Sequence, residues 1–236
     1  MVLRALIFDF DGVVVDTETP LWRSWVHVFD AFGATPLTLE EWCESLGRSD
    51  ADPLLLDPAR RLREVVGEGV DLDQVQVMRR AERDRLLDQV GVTPGVERLL
   101  DEAAGAGVAV AIASSSPRTW IDQHLASRGL LDRFPVISCA GQGVPGKPDP
   151  TVYLRACAAL GVDAPTALAI EDSPHGIAAA KAAGLTCVAL RTVLGSELDL
   201  SQADRVVTEL DQVTLTWLDA ECADIAEAGR GGVGSR

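Results

Sequence analysis

The sequence predicts an α/β fold: a parallel sheet with helices on both faces, interrupted near its start by an inserted α-helical cap domain. Three observations point to it. From residue 93 onward, short apolar runs alternate with helix-length stretches, the texture of strand–helix–strand units. The runs are apolar throughout, as strands covered on both faces must be. Between residues 17 and 92 the alternation stops and only helical spacing remains. The core is therefore expected over residues 1–16 and 93–236, and the cap over 17–92.

Leu3 to Phe10 opens the chain as a buried strand ending in Asp-Phe-Asp-Gly. In the cap, Trp22, Trp25, Val26 and Phe29 recur at helical spacing, as do Trp42 and Leu46. Leu54–Val66 and Leu72–Val90 read as further helices. Trp22 and Trp25 are expected to pack the cap. After Thr93-Pro94-Gly95, the spacing predicts a helix over Val96–Ala104 and a strand over Val108–Ala113. Ser116-Pro117 follows as N-cap and first-turn proline of a helix closed by Gly129. Val136–Ser138 is a short strand. Asp149-Pro150 opens a helix that Gly161 closes. Ala167–Ile170 is a strand ending in Glu171-Asp172, and Ser173-Pro174 caps a helix that stops at Gly184. Thr186–Leu190 and Arg205–Val207 complete the sheet, and Gly229–Arg236 reads as a frayed tail.

Composition narrows the function. With 236 residues and a net charge of −15, the surface repels phosphate backbones, so nucleic acid is not an expected partner. No apolar run reaches the roughly 18 residues of a membrane span, and the N-terminus turns acidic too early for a signal peptide. Five dispersed cysteines without C-x-x-C spacing fit a reducing, cytoplasmic setting. The expected state is a monomer or a weak homodimer. Of 21 basic residues only Lys147 and Lys181 are lysines, which makes each lysine informative.

Chemistry-bearing residues fall just after three predicted strands, about 100 and 60 residues apart. In parallel sheets such ends meet in one crevice. Asp9 and Asp11, two residues apart, leave the first strand on one side, and Gly12 lets the chain turn sharply. Glu171 and Asp172 add two further acids. Four carboxylates around one crevice call for a hard divalent cation, most plausibly Mg²⁺. An oriented, partly neutralised carboxylate can act as a nucleophile. Phosphoryl transfer then needs donors and a positive charge on the phosphoryl oxygens, which Ser114 and Lys147 can supply.

Phe8-Asp9-Phe10-Asp11-Gly12 through Asp16-Thr17-Glu18, then Ser114, Lys147-Pro148-Asp149-Pro150 and Glu171-Asp172-Ser173 stand in the order of four motifs. In this the chain resembles the haloacid dehalogenase superfamily. The similarity covers residues 1 to about 220 and is nearest the β-phosphoglucomutase-like and sugar-phosphate phosphatase subgroup with a helical cap. It implies a Rossmann-like core and a catalytic set of Asp9, Asp11, Ser114 and Lys147. Asp9 is then the nucleophile that becomes an aspartyl-phosphate, and Asp11 the acid that protonates the leaving oxygen and later the base that activates water. Ser114 hydrogen-bonds the phosphoryl group, and Lys147 steadies Asp9. Asp9, the carbonyl of Asp11 and Asp172 would hold Mg²⁺, with Glu171 supporting the metal shell. Thr151 departs from the subgroup, which usually carries aspartate there.

The resemblance places substrate specificity in the cap. Arg48 falls where a mutase cap holds a second phosphate, Glu18 is a cleft-facing hinge residue, and Ser115 is a further substrate-binding candidate. Ser115 and Ser116 also suit a turn and a helix N-cap. No lysine lies in 17–92, so Arg79 or Arg80 would have to replace the mutase cap lysine, and Schiff-base chemistry from the cap is disfavoured. His27, His124 and His175 form no metal-ligand pattern. The expected activity is Mg²⁺-dependent hydrolysis of a small phosphorylated metabolite, a sugar phosphate. The alternative is a β-phosphoglucomutase-type hexose-phosphate mutase, and a remoter one is a non-catalytic binding module.

Overall fold

The computed structural model describes residues 2–43, 57–196 and 198–231. Six strands, β1 (Ala5–Phe8), β2 (Ala109–Ser114), β3 (Val136–Cys139), β4 (Ala167–Glu171), β5 (Thr186–Leu190) and β6 (Arg205–Val207), form one sheet in the order β3-β2-β1-β4-β5-β6. Every pairing is parallel. The chain builds outward from β1 first to one side and then, from β4, to the other. The helical crossovers therefore diverge at the β1/β4 junction and leave a crevice at the carboxyl ends.

The two sheet faces are packed differently, and the strand period of two explains how. Leu6, Phe8, Ile112, Leu168, Ile170 and Val188 point to one side, under α5 (Val96–Ala106), α6 (Arg118–Ser127) and α9 (Leu215–Gly231). Ala5, Ile7, Ala111, Ala113, Ala167 and Ala169 point to the other, under α7 (Thr151–Leu160) and α8 (Pro174–Ala182). The small residues of this second face let α7 and α8 approach closely. Asp9 and Glu171 share its parity, which carries their side chains toward that tightly packed layer.

Between β1 and α5 lie α1 (Glu18–Ala31), α2 (Leu39–Cys43), α3 (Pro58–Val66) and α4 (Leu72–Leu87), with no strand among the described residues of 17–92. Asp57 and Asp71 cap α3 and α4 by accepting from amides of the first turn. The helices enclose an apolar cluster of their own, built on Trp25, Val28, Phe29, Leu37, Leu62 and Val75. Trp25 thus packs as expected, and Trp22 donates from its indole to the Leu37 carbonyl at 3.3 Å. Leu46, Arg48 and the 54–56 stretch lie outside the described residues.

Two local expectations need correction. Ser116 is not the N-cap of α6: Pro117 holds that position without a side-chain cap bond, because the Ser116 hydroxyl is drawn to Asp11 instead. The tail expected from Gly229 starts later than that residue. Helix α9 runs to Gly231, supported by Leu215, Leu218 and Cys222 buried in the larger core. Ser173, by contrast, caps α8 as expected, accepting from the Gly176 amide at 3.0 Å. Among the described residues no helix is long and apolar enough to cross a membrane.

Candidate active site

Asp9 follows β1 directly, and its amide still donates to the Ile170 carbonyl at 2.9 Å. The ladder therefore fixes the backbone of this residue before any side-chain contact does. In register, Phe8 is level with Ile112 and Ile170. Asp9, the last residue of β2, Ser114, and the last residue of β4, Glu171, consequently meet at one edge.

Lys147 comes from the loop between β3 and α7. Its amide donates to Ser115 Oγ at 3.0 Å, which seats the loop against the end of β2. Its ammonium donates to Asp9 Oδ1 and Glu171 Oε1, both at 2.5 Å, with all three side chains buried. Charge-assisted bonds of this kind are the strong ones. Burial alone would lower the Lys147 pKa, but the carboxylates of Asp9 and Glu171 carry it above the ordinary lysine range. The lysine is held charged.

The Glu171 carboxylate is fully engaged. Oε1 also accepts from the Tyr153 hydroxyl at 2.6 Å, and Oε2 accepts from the Asp172 amide at 3.1 Å and Ser173 Oγ at 3.4 Å. Its seat exists because residue 176 is glycine: any Cβ there would overlap the Glu171 carboxylate. Gly12 plays the same part for Asp172. It turns the chain at φ +86°, and a Cβ on it would overlap the Asp172 carboxylate.

Carboxylate oxygens of Asp9, Glu171 and Asp172 lie within 4.8 Å of one another. Burial pushes Asp9 up to about 7, with Lys147 opposing and Glu171 and Asp11 adding to the rise. Burial followed by Asp9 and Glu171 lifts Asp172 well above the usual carboxylate range. Three acids facing one lysine leave negative charge in excess. Hard oxygen donors in this state fit a divalent cation of the Mg²⁺ or Ca²⁺ type. Among the described residues no histidine or cysteine belongs to such a group.

Asp11 points elsewhere. Its Oδ1 accepts from Thr17 Oγ1 at 2.6 Å and from the Trp120 indole at 2.9 Å, and its Oδ2 accepts from Ser116 Oγ at 2.5 Å. Ser114 is buried; its Oγ accepts from the Ser116 amide at 2.9 Å, which leaves its own hydrogen to donate. A cleft of about 600 Å³ opens beside these groups, with Asp11, Ser116 and Trp120 on one wall and Glu18, Arg79 and Arg83 on the other. Glu18 is pushed up to about 8 by burial and then by Asp11, Asp16 and Asp9. Arg79 stands 5.3 Å from the centre of the Trp25 ring. Arg80 is exposed and not part of the cleft wall.

The structure thus brings together Asp9, Asp11, Ser114, Lys147, Glu171 and Asp172 at one sheet edge, with Glu18 and Arg79 across the cleft. Ser115 serves the loop of Lys147 through its hydroxyl. Arg48 lies outside the described residues. Sequence reasoning missed Tyr153, Trp120 and Arg83. Tyr153 is the only tyrosine in the chain and stands in the first turn of α7, a signal that was available. Trp120 and Arg83 carried none, since their meeting depends on how α6 and α4 pack.

A family model described as haloacid dehalogenase-like hydrolase matches residues 6–190. Among curated relatives, protein CbbY of Rhodobacter capsulatus is 33% identical over 89% of this chain and 95% of its own length. Validoxylamine A 7'-phosphate phosphatase of Streptomyces hygroscopicus subsp. limoneus is 30% identical over 89% and 95%. Beta-phosphoglucomutase of Bacillus subtilis is 28% identical over 93% and 95%. Among solved structures, CbbY of Rhodobacter sphaeroides in complex with phosphate superposes with a TM-score of 0.72 at 24% identity, covering 92% of this chain and 99% of that one.

Proposed function

The chain belongs to the haloacid dehalogenase-like hydrolases, and from that premise we propose that it is a Mg²⁺-dependent phosphatase acting on a small phosphorylated metabolite, a sugar phosphate. The observation that carries this reading is the buried Asp9 carboxylate gripped by Lys147 beside Asp172 and Glu171. A carboxylate so placed is oriented, screened from water and flanked by a fixed positive charge. Those are the conditions under which it attacks phosphorus rather than being repelled by it. Two unit charges 4 Å apart at an effective dielectric constant near 20 interact by about 4 kcal/mol, so a counter-charge decides the sign of the approach.

In this reading Asp9 attacks the phosphoryl group in line, its carboxylate oxygen bonding to phosphorus as the ester P–O bond breaks. Asp11 passes a proton to the departing oxygen, then accepts one from the water that hydrolyses the aspartyl-phosphate. The Ser114 hydroxyl and the Lys147 ammonium donate to the phosphoryl oxygens. Asp9, the main-chain carbonyl of Asp11 and Asp172 would hold Mg²⁺, while Glu171, already saturated with donors, orders Lys147 and the surrounding shell. When bound, the metal supplies Lewis-acid neutralisation of carboxylate and phosphoryl charge.

Residues 17–92 act here as a cap that closes over the cleft to exclude bulk water. Arg79 on its wall suits a further anionic or hydroxyl-rich part of the substrate. The relatives named as a 7'-phosphate phosphatase and a β-phosphoglucomutase bracket the two activities this architecture supports. The second reading is a hexose-phosphate mutase. The lack of a lysine anywhere in 17–92 favours the phosphatase.

The test is a panel of phosphorylated metabolites with Mg²⁺, scored both for released phosphate and for isomerised product. Release of phosphate by the parent and none by a folded Asp9→Asn variant is expected. Isomerisation of β-glucose 1-phosphate without phosphate release selects the mutase. Undiminished turnover by D9N removes the nucleophile assignment.

A further inference from the structure

Trp120 touches both Asp11 and α4 of the helical segment across the cleft. Its indole N–H donates to Asp11 Oδ1 at 2.9 Å. The guanidinium carbon of Arg83, on α4, stands 5.7 Å from the centre of its ring, within the range of a cation–π contact. His124, one turn further along α6, meets the same ring edge-on at 4.1 Å between centroids. The indole is therefore clamped from two sides and offers its N–H in a fixed direction.

We propose that Trp120 is a positioning residue for Asp11, fixing which carboxyl oxygen carries the transferable proton and tying that geometry to the helical segment through Arg83. This rests on the phosphatase reading above. The physical reason is that an indole N–H can only donate. Thr17 and Ser116 can turn their hydroxyls to donate or accept, but Trp120 cannot. With its N–H on Oδ1, that oxygen must be an acceptor, so a protonated Asp11 carries its hydrogen on Oδ2. That oxygen lies beside Ser116 Oγ, 2.5 Å away, in the cleft wall. When the ester P–O bond breaks, the leaving oxygen takes the proton from Oδ2. Asp11 is left as a carboxylate already met by the Trp120 N–H and by hydroxyls free to donate. Arg83 covers one side of the Trp120 ring, and through that contact the position of α4 is felt at Asp11.

The experiment uses two esters of matched shape. 4-Nitrophenyl phosphate releases a stabilised phenolate that departs without a proton; phenyl phosphate releases a more basic oxygen that benefits from one. The value of kcat/KM reports the step in which the ester bond breaks. Trp120→Phe keeps the ring and its contact with Arg83 but removes the N–H. The ratio of kcat/KM for 4-nitrophenyl over phenyl phosphate is expected to rise about tenfold in W120F, the loss of one hydrogen bond to a charged group, and further in Asp11→Asn. A general loss of packing would lower both values and leave the ratio alone. An unchanged ratio in folded W120F overturns the proposal. If W120F does not fold, Arg83→Met is read in the same way: a raised ratio supports the link and an unchanged one overturns it. A parent protein inert toward both esters and toward the metabolite panel removes the phosphatase reading and this inference with it. An active parent with unmoved ratios removes the inference alone.

Discussion

Lys147 is the counter-charge for two carboxylates in a place that water does not reach, so its loss should be felt in stability as well as in turnover. Lys147→Met is expected to destabilise the metal-free protein by about 3 kcal/mol, the usual scale for breaking a buried ion pair from one side. The urea midpoint measures this, and an unchanged midpoint would mean that Asp9 and Glu171 do not depend on the lysine for their burial. Gly176 sets a tighter constraint. Because a Cβ would overlap the Glu171 carboxylate, Gly176→Ala must push Glu171 away from Lys147 and Tyr153. Turnover is expected to fall by at least tenfold while far-ultraviolet circular dichroism stays that of the parent; parental turnover would show that the Glu171 seat can shift at no cost. Lys147 was legible in the sequence as a member of a motif. What it contacts was not, since Lys147 meets Asp9 across 138 positions of chain.

Helix α6 does more at the element scale than its sequence announces. Trp120, His124 and Arg128 fall four residues apart along it, which puts them on one face. Trp120 reaches Asp11 and Arg83, while Arg128 donates to the carbonyls of Leu87 at 3.1 Å and Val90 at 2.8 Å. Those carbonyls close the C-terminal end of α4, where the helical segment returns to the sheet. A cation on exposed helix-end carbonyls is a favourable cap. Arg128→Ala should therefore speed amide hydrogen exchange over residues 87–92 without altering protection in β1 or β4. Equal protection in the two proteins would assign the return segment's order to other contacts. The failed expectation of a Ser116 cap belongs to this scale as well. A serine before proline reads locally as an N-cap, but Asp11, brought in from 105 positions away, offers the hydroxyl a charged acceptor.

The excess of buried acid governs how the whole molecule answers to pH and metal. Asp9 and Glu18 are raised from ordinary values of 3.8 and 4.5 to about 7 and about 8. Between those limits the folded, metal-free state binds more protons than the unfolded one, so stability falls as pH rises. The contribution of these groups is complete below about pH 4 and lost as pH climbs through 7 and 8. On the proposed function, a divalent cation held by Asp9 and Asp172 would supply the missing charge and, binding only the folded state, would stabilise it by mass action. Millimolar Mg²⁺ is expected to raise the melting temperature more at pH 8 than at pH 5, as followed by calorimetry. Equal increments at both pH values would detach the metal from the carboxylate cluster.

The sequence by itself determined the alternation of strands and helices, the interruption of that alternation between residues 17 and 92, and the order of the acidic, serine and lysine motifs. These are matters of local spacing, apolar runs and turn chemistry, all written within a few residues. Only the tertiary structure decided that Glu171 is saturated by Lys147 and Tyr153, that Asp11 is held by Thr17, Ser116 and Trp120, and that Arg83 rather than Arg80 faces the cleft. It also supplied α9, whose apolar positions acquire meaning only against α5 and the sheet. Each of these depends on the angle and register at which separate elements pack, and a pattern confined to one stretch of chain does not encode that relation.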